Sequence, residues 1–360
     1  MNINNVFDDL FVLEMANNHW GSLDRGLKIV KDFSRIVRHN GVRAAIKLQF
    51  RDVDTFIHKD FRNRGDIRYI KKTIETRMSH TDMATLVEAV RRNNCIRMAT
   101  PFDEASVDLC VELGIQIIKI ASSDANDWPL IEKIAKTRKP VIFSTGGSSL
   151  KDIDDLVTFF DNRGIPVAIN HCVSLYPSEE SELQMNQIDF LRQRFPDKVI
   201  GFSSHEHRDV VASMLIAYAK GARTFERHID IHTEDHPITP YCATPEQIDL
   251  WFQSFRRAKS MCGLPPSAKY EPSEREVKYL DGLVRGVYAK KDLAAGHELT
   301  MDDVYLAIPL QRGQISCREL FTGEVLLRDI KADEALSIDA FDTPYSTSPA
   351  LREKIMERGL

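Results

Sequence analysis

Between residue 11 and about residue 262 the chain alternates two patterns of apolar and polar positions. Short runs rich in Val, Ile and Phe, at 11–15, 44–49, 96–100, 117–120, 141–144, 167–171, 199–202 and 224–228, read as buried parallel strands. The stretches between them carry apolar residues at helical spacing and predict helices over 23–37, 81–92, 102–113, 129–136, 151–160, 186–195, 209–220 and 245–261. In the first, Leu27, Val30, Phe33 and Val37 share one face, with Ser22 or Asp24 as N-cap. Asp103 and Glu104 stand at the start of the third, where the helix dipole favours acids. The segment 56–78, with Arg62, Arg64, Arg68, Lys71 and Lys72, reads as a basic loop. Eight strand–helix units in about 250 residues predict an α/β fold of the (β/α)8 TIM-barrel type. A doubly wound sheet would carry a glycine-rich loop after its first strand. Here that strand runs into Glu14-Met15-Ala16-Asn17-Asn18-His19-Trp20-Gly21, which is no such loop.

The rhythm breaks at residues 265–280, where Pro265-Pro266 and Pro272-Ser273 predict a linker between a barrel at 1–264 and a small α+β domain at 281–341, followed by a tail at 342–360. About 60 residues make a marginal core, so the small domain is expected to need a docking surface. The 360 residues carry a net charge of −5, which speaks against nucleic acid as partner. The longest clean apolar stretch, 210–219, is too short to cross a bilayer, and residues 1–9 lack a signal-peptide pattern. The six cysteines form no CxxC pair. Reduced core thiols and a cytoplasmic location are expected.

Catalytic groups of a barrel come from the C-terminal ends of its strands. Those positions hold Glu14, His19, Lys47, Gln49, Thr100, Lys119, Ser122, Asp124, Ser144, Thr145, His171, Tyr176, Ser203, His205, Glu226 and His228. Lysines are costly to bury at the ends of apolar runs, so Lys47 and Lys119 suggest an anion in the barrel mouth, although either one alone could be a snorkelling surface lysine. Ser144-Thr145-Gly146-Gly147 is either a plain turn or a phosphate cradle. His171 is either a satisfied core histidine or a site residue. His205 and His228 end strands seven and eight and suit a divalent transition metal.

Read in order, these segments resemble the sialic acid synthase (N-acetylneuraminate synthase) and spore coat polysaccharide biosynthesis family. The first-strand motif is similar to the family's EIGxNHxG. Ile46-Lys47-Leu48-Gln49, Thr100-Pro101-Phe102-Asp103, Lys119-Ile120-Ala121-Ser122, Ser144-Thr145-Gly146, His171-Cys172 with Tyr176-Pro177, and Glu226-Arg227-His228 follow in family order. Asp235-His236 is similar to a substrate loop, and the small domain resembles the antifreeze-like (SAF) domain.

The resemblance implies an enzyme that condenses phosphoenolpyruvate (PEP) with an N-acyl hexosamine aldehyde to a nonulosonic acid and phosphate. Its cofactor would be Mn2+ or Mg2+, and its quaternary state a domain-swapped homodimer. PEP would be bound by Lys47, Thr100, Lys119, Ser122, Ser144 and Ser203. The metal would sit on His205 and His228. The sugar would meet Glu14, Gln49, Tyr176, Asp235 and, from the SAF domain, Arg312. Glu14 and Lys119 would share the catalytic role with the two histidines. The chain departs from the pattern at Ser204, where the family has an acid, at Trp20, and at 307–313, where Arg312 is the arginine available. Another PEP- or aldolase-type barrel enzyme, or a binding protein that kept the fold, are the alternatives.

Overall fold

In a computed structural model, which describes residues 6–207 and 209–360, eight strands close into a parallel barrel in sequence order. They are β1 (Leu10–Ala16), β2 (Ala44–Phe50), β3 (Ile96–Pro101), β4 (Ile117–Ile120), β5 (Val141–Ser144), β6 (Val167–Cys172), β7 (Val199–Ser204) and β8 (Thr224–His228). The expected strands and the eight expected helices all form, with ends displaced by at most three residues. Ser22 caps the first helix, Leu23–Asn40, by accepting from the Arg25 N–H, and Gly41 ends it in the left-handed conformation.

Alternation along each strand divides the apolar residues into two separate cores. Leu10, Val12, Ala45, Met98, Ile117, Ile142, Ala168 and Val199 pack together inside the barrel. Phe11, Leu13, Ile46, Leu48, Ile118, Ile120, Phe143, Ile169 and Phe202 pack outward against the helices. The same parity, carried two residues further, sends Glu14, Lys47, Thr100, Lys119, Ser144, Ser203, His205, Glu226 and His228 to the inner side at the C-terminal mouth. It sends His171 outward, where its ring lies over Phe202 and its Nε2 meets the Leu183 carbonyl at 2.8 Å. His171 is therefore a satisfied core histidine.

Two stretches differ from the sequence expectation. The basic segment after β2 is largely helical, with turns at Val53–Phe56 and Lys59–Phe61 and a helix at Arg68–Glu75. The stretch 265–280 is interrupted by a helix, Glu274–Asp281, capped by Ser273. Four of the six cysteines are buried and all are unpaired thiols.

The chain divides into a unit ending at Gly263 and a second unit from Leu264 to Leu360. The second has its own core, including Val287, Leu299, Ile315, Leu326, Leu336 and Phe341 around the antiparallel pair β9 (Gly286–Ala289) and β10 (Val304–Ala307). The terminal helix Pro349–Met356 contributes Ile355 to that core. No helix among the described residues is long and apolar enough to cross a membrane.

Candidate active site

The mouth of the barrel holds a buried ring of opposite charges. Strand register sets Glu14 beside Lys47 on one side and His228 on the other. The Lys47 ammonium lies 2.5 Å from Glu14 Oε2 and 2.8 Å from Glu226 Oε1, and donates to Thr100 Oγ1 at 3.3 Å. Gln49 Nε2 donates to the other Glu14 oxygen at 3.1 Å. Across the ring Lys119 donates to Ser144 Oγ at 2.6 Å and to its neighbour's carbonyl, while Glu226 Oε2 is 4.0 Å away. Burial would raise the Glu226 carboxyl's pKa, but Lys119 and Lys47 outweigh it and hold the group below its ordinary value. Burial pulls Lys47 down to about 8 despite Glu226.

Two ammonium groups face two carboxylates, so the side chains alone bring no net positive charge. The two lysines also differ in kind. Lys47 is held between two carboxylates and fixes them. Lys119 has a neutral hydroxyl as its close partner and is the cation open to an incoming anion.

Beside Lys119 the loops after β4, β5 and β6 converge. A Cβ on Gly146 would lie 2.1 Å from Ser174 Oγ and 2.8 Å from Ser122 Oγ, so only glycine fits there. The Gly146 and Gly147 N–H groups donate to no acceptor among the described residues. Free N–H groups beside serine hydroxyls are donors of the kind that take a phosphate. Ser203 is buried on β7, paired in register with Glu226. The Asp124 carboxyl, raised to about 6 by burial, stands within the fields of Arg51 and Lys119 with Oδ2 unpartnered.

On the opposite arc the His205 and His228 rings stand 5.4 Å apart. Burial lowers His205 to about 4 and His228 well below its usual value, the latter helped by His205, Lys47 and Lys72, so both imidazoles are neutral. His205 Nδ1 contacts the Val173 carbonyl at 3.0 Å. A carbonyl only accepts, so Nδ1 carries the hydrogen and Nε2 keeps its lone pair. His228 Nδ1 is buried without a partner. Two neutral imidazoles with uncommitted nitrogens fit a transition metal such as Mn2+ better than Mg2+, which prefers oxygen. No third His, Cys, Asp or Glu among the described residues groups with them, so the protein would supply two ligands.

The Tyr176 ring packs 4.0 Å from His205 and 5.4 Å from Tyr241, which in turn packs 5.3 Å from His228. Asp235 is not drawn into this cluster. It is exposed in the loop after β8, and it is the neighbouring His236 that stacks on Trp20 at 4.7 Å. His19 lies buried beneath the first loop, where its Nδ1 accepts from the Gly21 N–H. Arg312 lies in the second unit, where its Nε donates to the Met356 carbonyl at 3.0 Å.

Several groups that build the site are assigned no role from the sequence, although Glu226 stands among the strand-end candidates. Glu226 bridges both lysines. Arg25 ties the β1 loop to the β8 loop, binding the Asn18 carbonyl at 2.6 Å and Asp230 at 2.7 Å. Arg227 and Glu206, each adjacent to a site histidine, form a fully buried pair at 2.7 Å on the outer side of the barrel. Their signal was parity, since the neighbours of inward residues on adjacent strands face each other outside.

Comparison with known proteins agrees with the fold. A profile described as the NeuB family matches residues 38–265, and one described as the SAF domain matches residues 284–342. A solved structure assigned provisionally to spore coat polysaccharide biosynthesis protein E of Chromobacterium violaceum is 38% identical. It superposes with a TM-score of 0.87 over 93% of this chain and 99% of that one. The chain is 26% identical to the spore coat polysaccharide biosynthesis protein SpsE of Bacillus subtilis, over 93% of this chain and 94% of that protein. It is 24% identical to the N,N'-diacetyllegionaminic acid synthase of Campylobacter jejuni, over 91% and 98% of the two.

Proposed function

The chain belongs to the NeuB family, with an SAF domain behind its barrel, and from that premise we propose that it condenses PEP with an N-acyl hexosamine aldehyde to a nonulosonic acid and phosphate. Several of its relatives are synthases by name, and this chain is a synthase enzyme of the same kind. The observation that carries the reading is the pairing, on one mouth, of a lysine open to an anion with two neutral, uncommitted histidines.

In this reading Lys119, Ser122, Ser144 and the Gly146–Gly147 amides hold PEP, with Thr100 and Ser203 lining the same ring. Lys47 holds Glu14 and Glu226 in place, and Lys119 and Lys47 together keep Glu226 ionised. A Mn2+ or Mg2+ ion on His205 and His228 would supply Lewis-acid polarisation of the aldehyde oxygen. Gln49 and Tyr176 orient the sugar. C3 of PEP forms the new bond to the aldehyde carbon, whose oxygen gains a proton, and C2 is left as an oxocarbenium. Water adds at C2 and gives up a proton to Glu14. The tetrahedral carbon then expels phosphate by C–O cleavage. Fixing two substrates in one mouth supplies much of the rate. We also assign the SAF domain as a lid delivered by a second copy, with Arg312 reaching the sugar.

The test is phosphate release from PEP with a panel of N-acyl hexosamines and Mn2+. H205A and H228A are expected to abolish turnover and lose calorimetric Mn2+ binding. Full activity in either variant would remove that histidine from the metal site, and silence across the whole panel would remove the condensation.

A further inference from the structure

The segment after β2 is rich in cations, and most of them are already matched. Arg64 pairs with Asp66, Arg77 with Asp54 and Lys71 with Glu75, while Arg62 is bound to carbonyl groups. On the helix Arg68–Glu75 this leaves Arg68 and Lys72 with no carboxylate partner among the described residues. They are four residues apart and so lie on one face, about 5–6 Å from each other.

That face belongs to the mouth of the barrel. The end of the helix is held against the β1 loop, where a Cβ on Gly21 would lie 3.1 Å from the carbonyl oxygens of Glu75 and Arg77. The Lys72 ammonium stands 5.8 Å from the centre of the Trp20 ring, itself stacked on His236. Lys72 is close enough to His228 to lower that imidazole's pKa, and Arg68 close enough to Tyr241 to act on its phenol. Lys72's own pKa is depressed, first by burial and then by Arg68 and Arg51. The carboxylate that acts on it, Asp230, is already bound to Arg25. The helix Arg68–Glu75 therefore brings two positive charges to the rim, on the side of the two histidines, with no carboxylate paired to either among the described residues.

We propose that Arg68 and Lys72 form a subsite for a phosphomonoester on the far end of the sugar acceptor. The inference rests on the condensation reading, in which the aldehyde end meets His205 and His228. A dianion there would answer both cations at once and relieve their mutual repulsion, whereas a neutral hydroxymethyl group would leave them unmatched.

The experiment compares N-acetylmannosamine with N-acetylmannosamine 6-phosphate as acceptors in PEP-dependent phosphate release by the full chain. The wild type is expected to favour the phosphorylated sugar about tenfold or more in kcat/KM, mainly through KM, with a preference that weakens as salt rises. R68Q/K72Q is expected to cut the ratio of the two kcat/KM values by about tenfold or more, and K72R to retain it. A wild-type ratio near one, or the same ratio in R68Q/K72Q, overturns the subsite. Calorimetric titration of the sugar phosphate into the PEP-free protein separates the two readings. Binding that R68Q/K72Q loses, with no phosphate released by any aldehyde, would sustain the subsite and sink only the condensation. Release with the neutral sugar and no phosphate preference would do the reverse.

Discussion

At the scale of single residues, the feature that matters most is the different company kept by two lysines at equivalent strand ends. Lys119 rests on a hydroxyl and Lys47 on two carboxylates. K119A should therefore act on ligand binding. Losing a charge-assisted hydrogen bond of about 1.5–3 kcal/mol raises the KM for PEP roughly 10- to 150-fold, while the melting temperature moves little. K47A should act on the fold, since it removes the cation between Glu14 and Glu226 and leaves them buried with only Gln49 and the more distant Lys119 as partners, at a cost of about 3–5 kcal/mol. Initial-rate kinetics beside chemical denaturation would separate the two, and the opposite assignment of effects would overturn the distinction. Both lysines were legible in the sequence as improbable charges at the ends of apolar runs. Their inequality was not, because the partner that creates it, Glu226, lies 179 residues from Lys47 along the chain.

At the scale of elements, the barrel strands were legible because each is a short apolar run bounded by helix caps, and the alternation that divides inner from outer core also selects the mouth residues. Gly201 shows how tightly that interior is filled. A Cβ there would lie 1.8 Å from Thr224 Oγ1, 2.2 Å from Asn170 Oδ1 and 2.6 Å from the Thr224 carbonyl oxygen. Thr224 donates to Asn170 at this point, so β6, β7 and β8 are joined across the space glycine leaves. G201A is expected to destabilise the barrel by about 1–3 kcal/mol or more, read as a lower urea midpoint, and an unchanged midpoint would show that the strands yield. The helix Arg68–Glu75 was missed because its charges dominate the segment. Ile67, Ile70 and Ile74 supply the three- and four-residue spacing that could have revealed it.

At the scale of the whole molecule, the chain divides into two units, and the tail at 342–360 belongs to the second through Ile355. In the first, His19, lowered to about 4 by burial, joins His205 and His228 as imidazoles held neutral in the folded state. Each stays unprotonated in the fold below the ordinary value of 6.5, while in the unfolded chain it takes up a proton. Stability is thus full above about pH 6.5 and is lost as the pH falls toward 4, at a rate approaching about 1.4 kcal/mol per unit for each histidine. Urea midpoints at neutral pH and at about pH 5 should show a steep fall, and a flat profile would mean the rings can charge in place. The stack of Trp20 on His236 has an optical consequence. The chain has three tryptophans, Trp20, Trp128 and Trp251, and of these Trp251 is sealed in the core. With Trp128 and Trp251 replaced by phenylalanine, the emission of the remaining indole would report on the ring stacked against it and on the ammonium beside it. The protein would then carry its own fluorescent gauge of what enters the mouth.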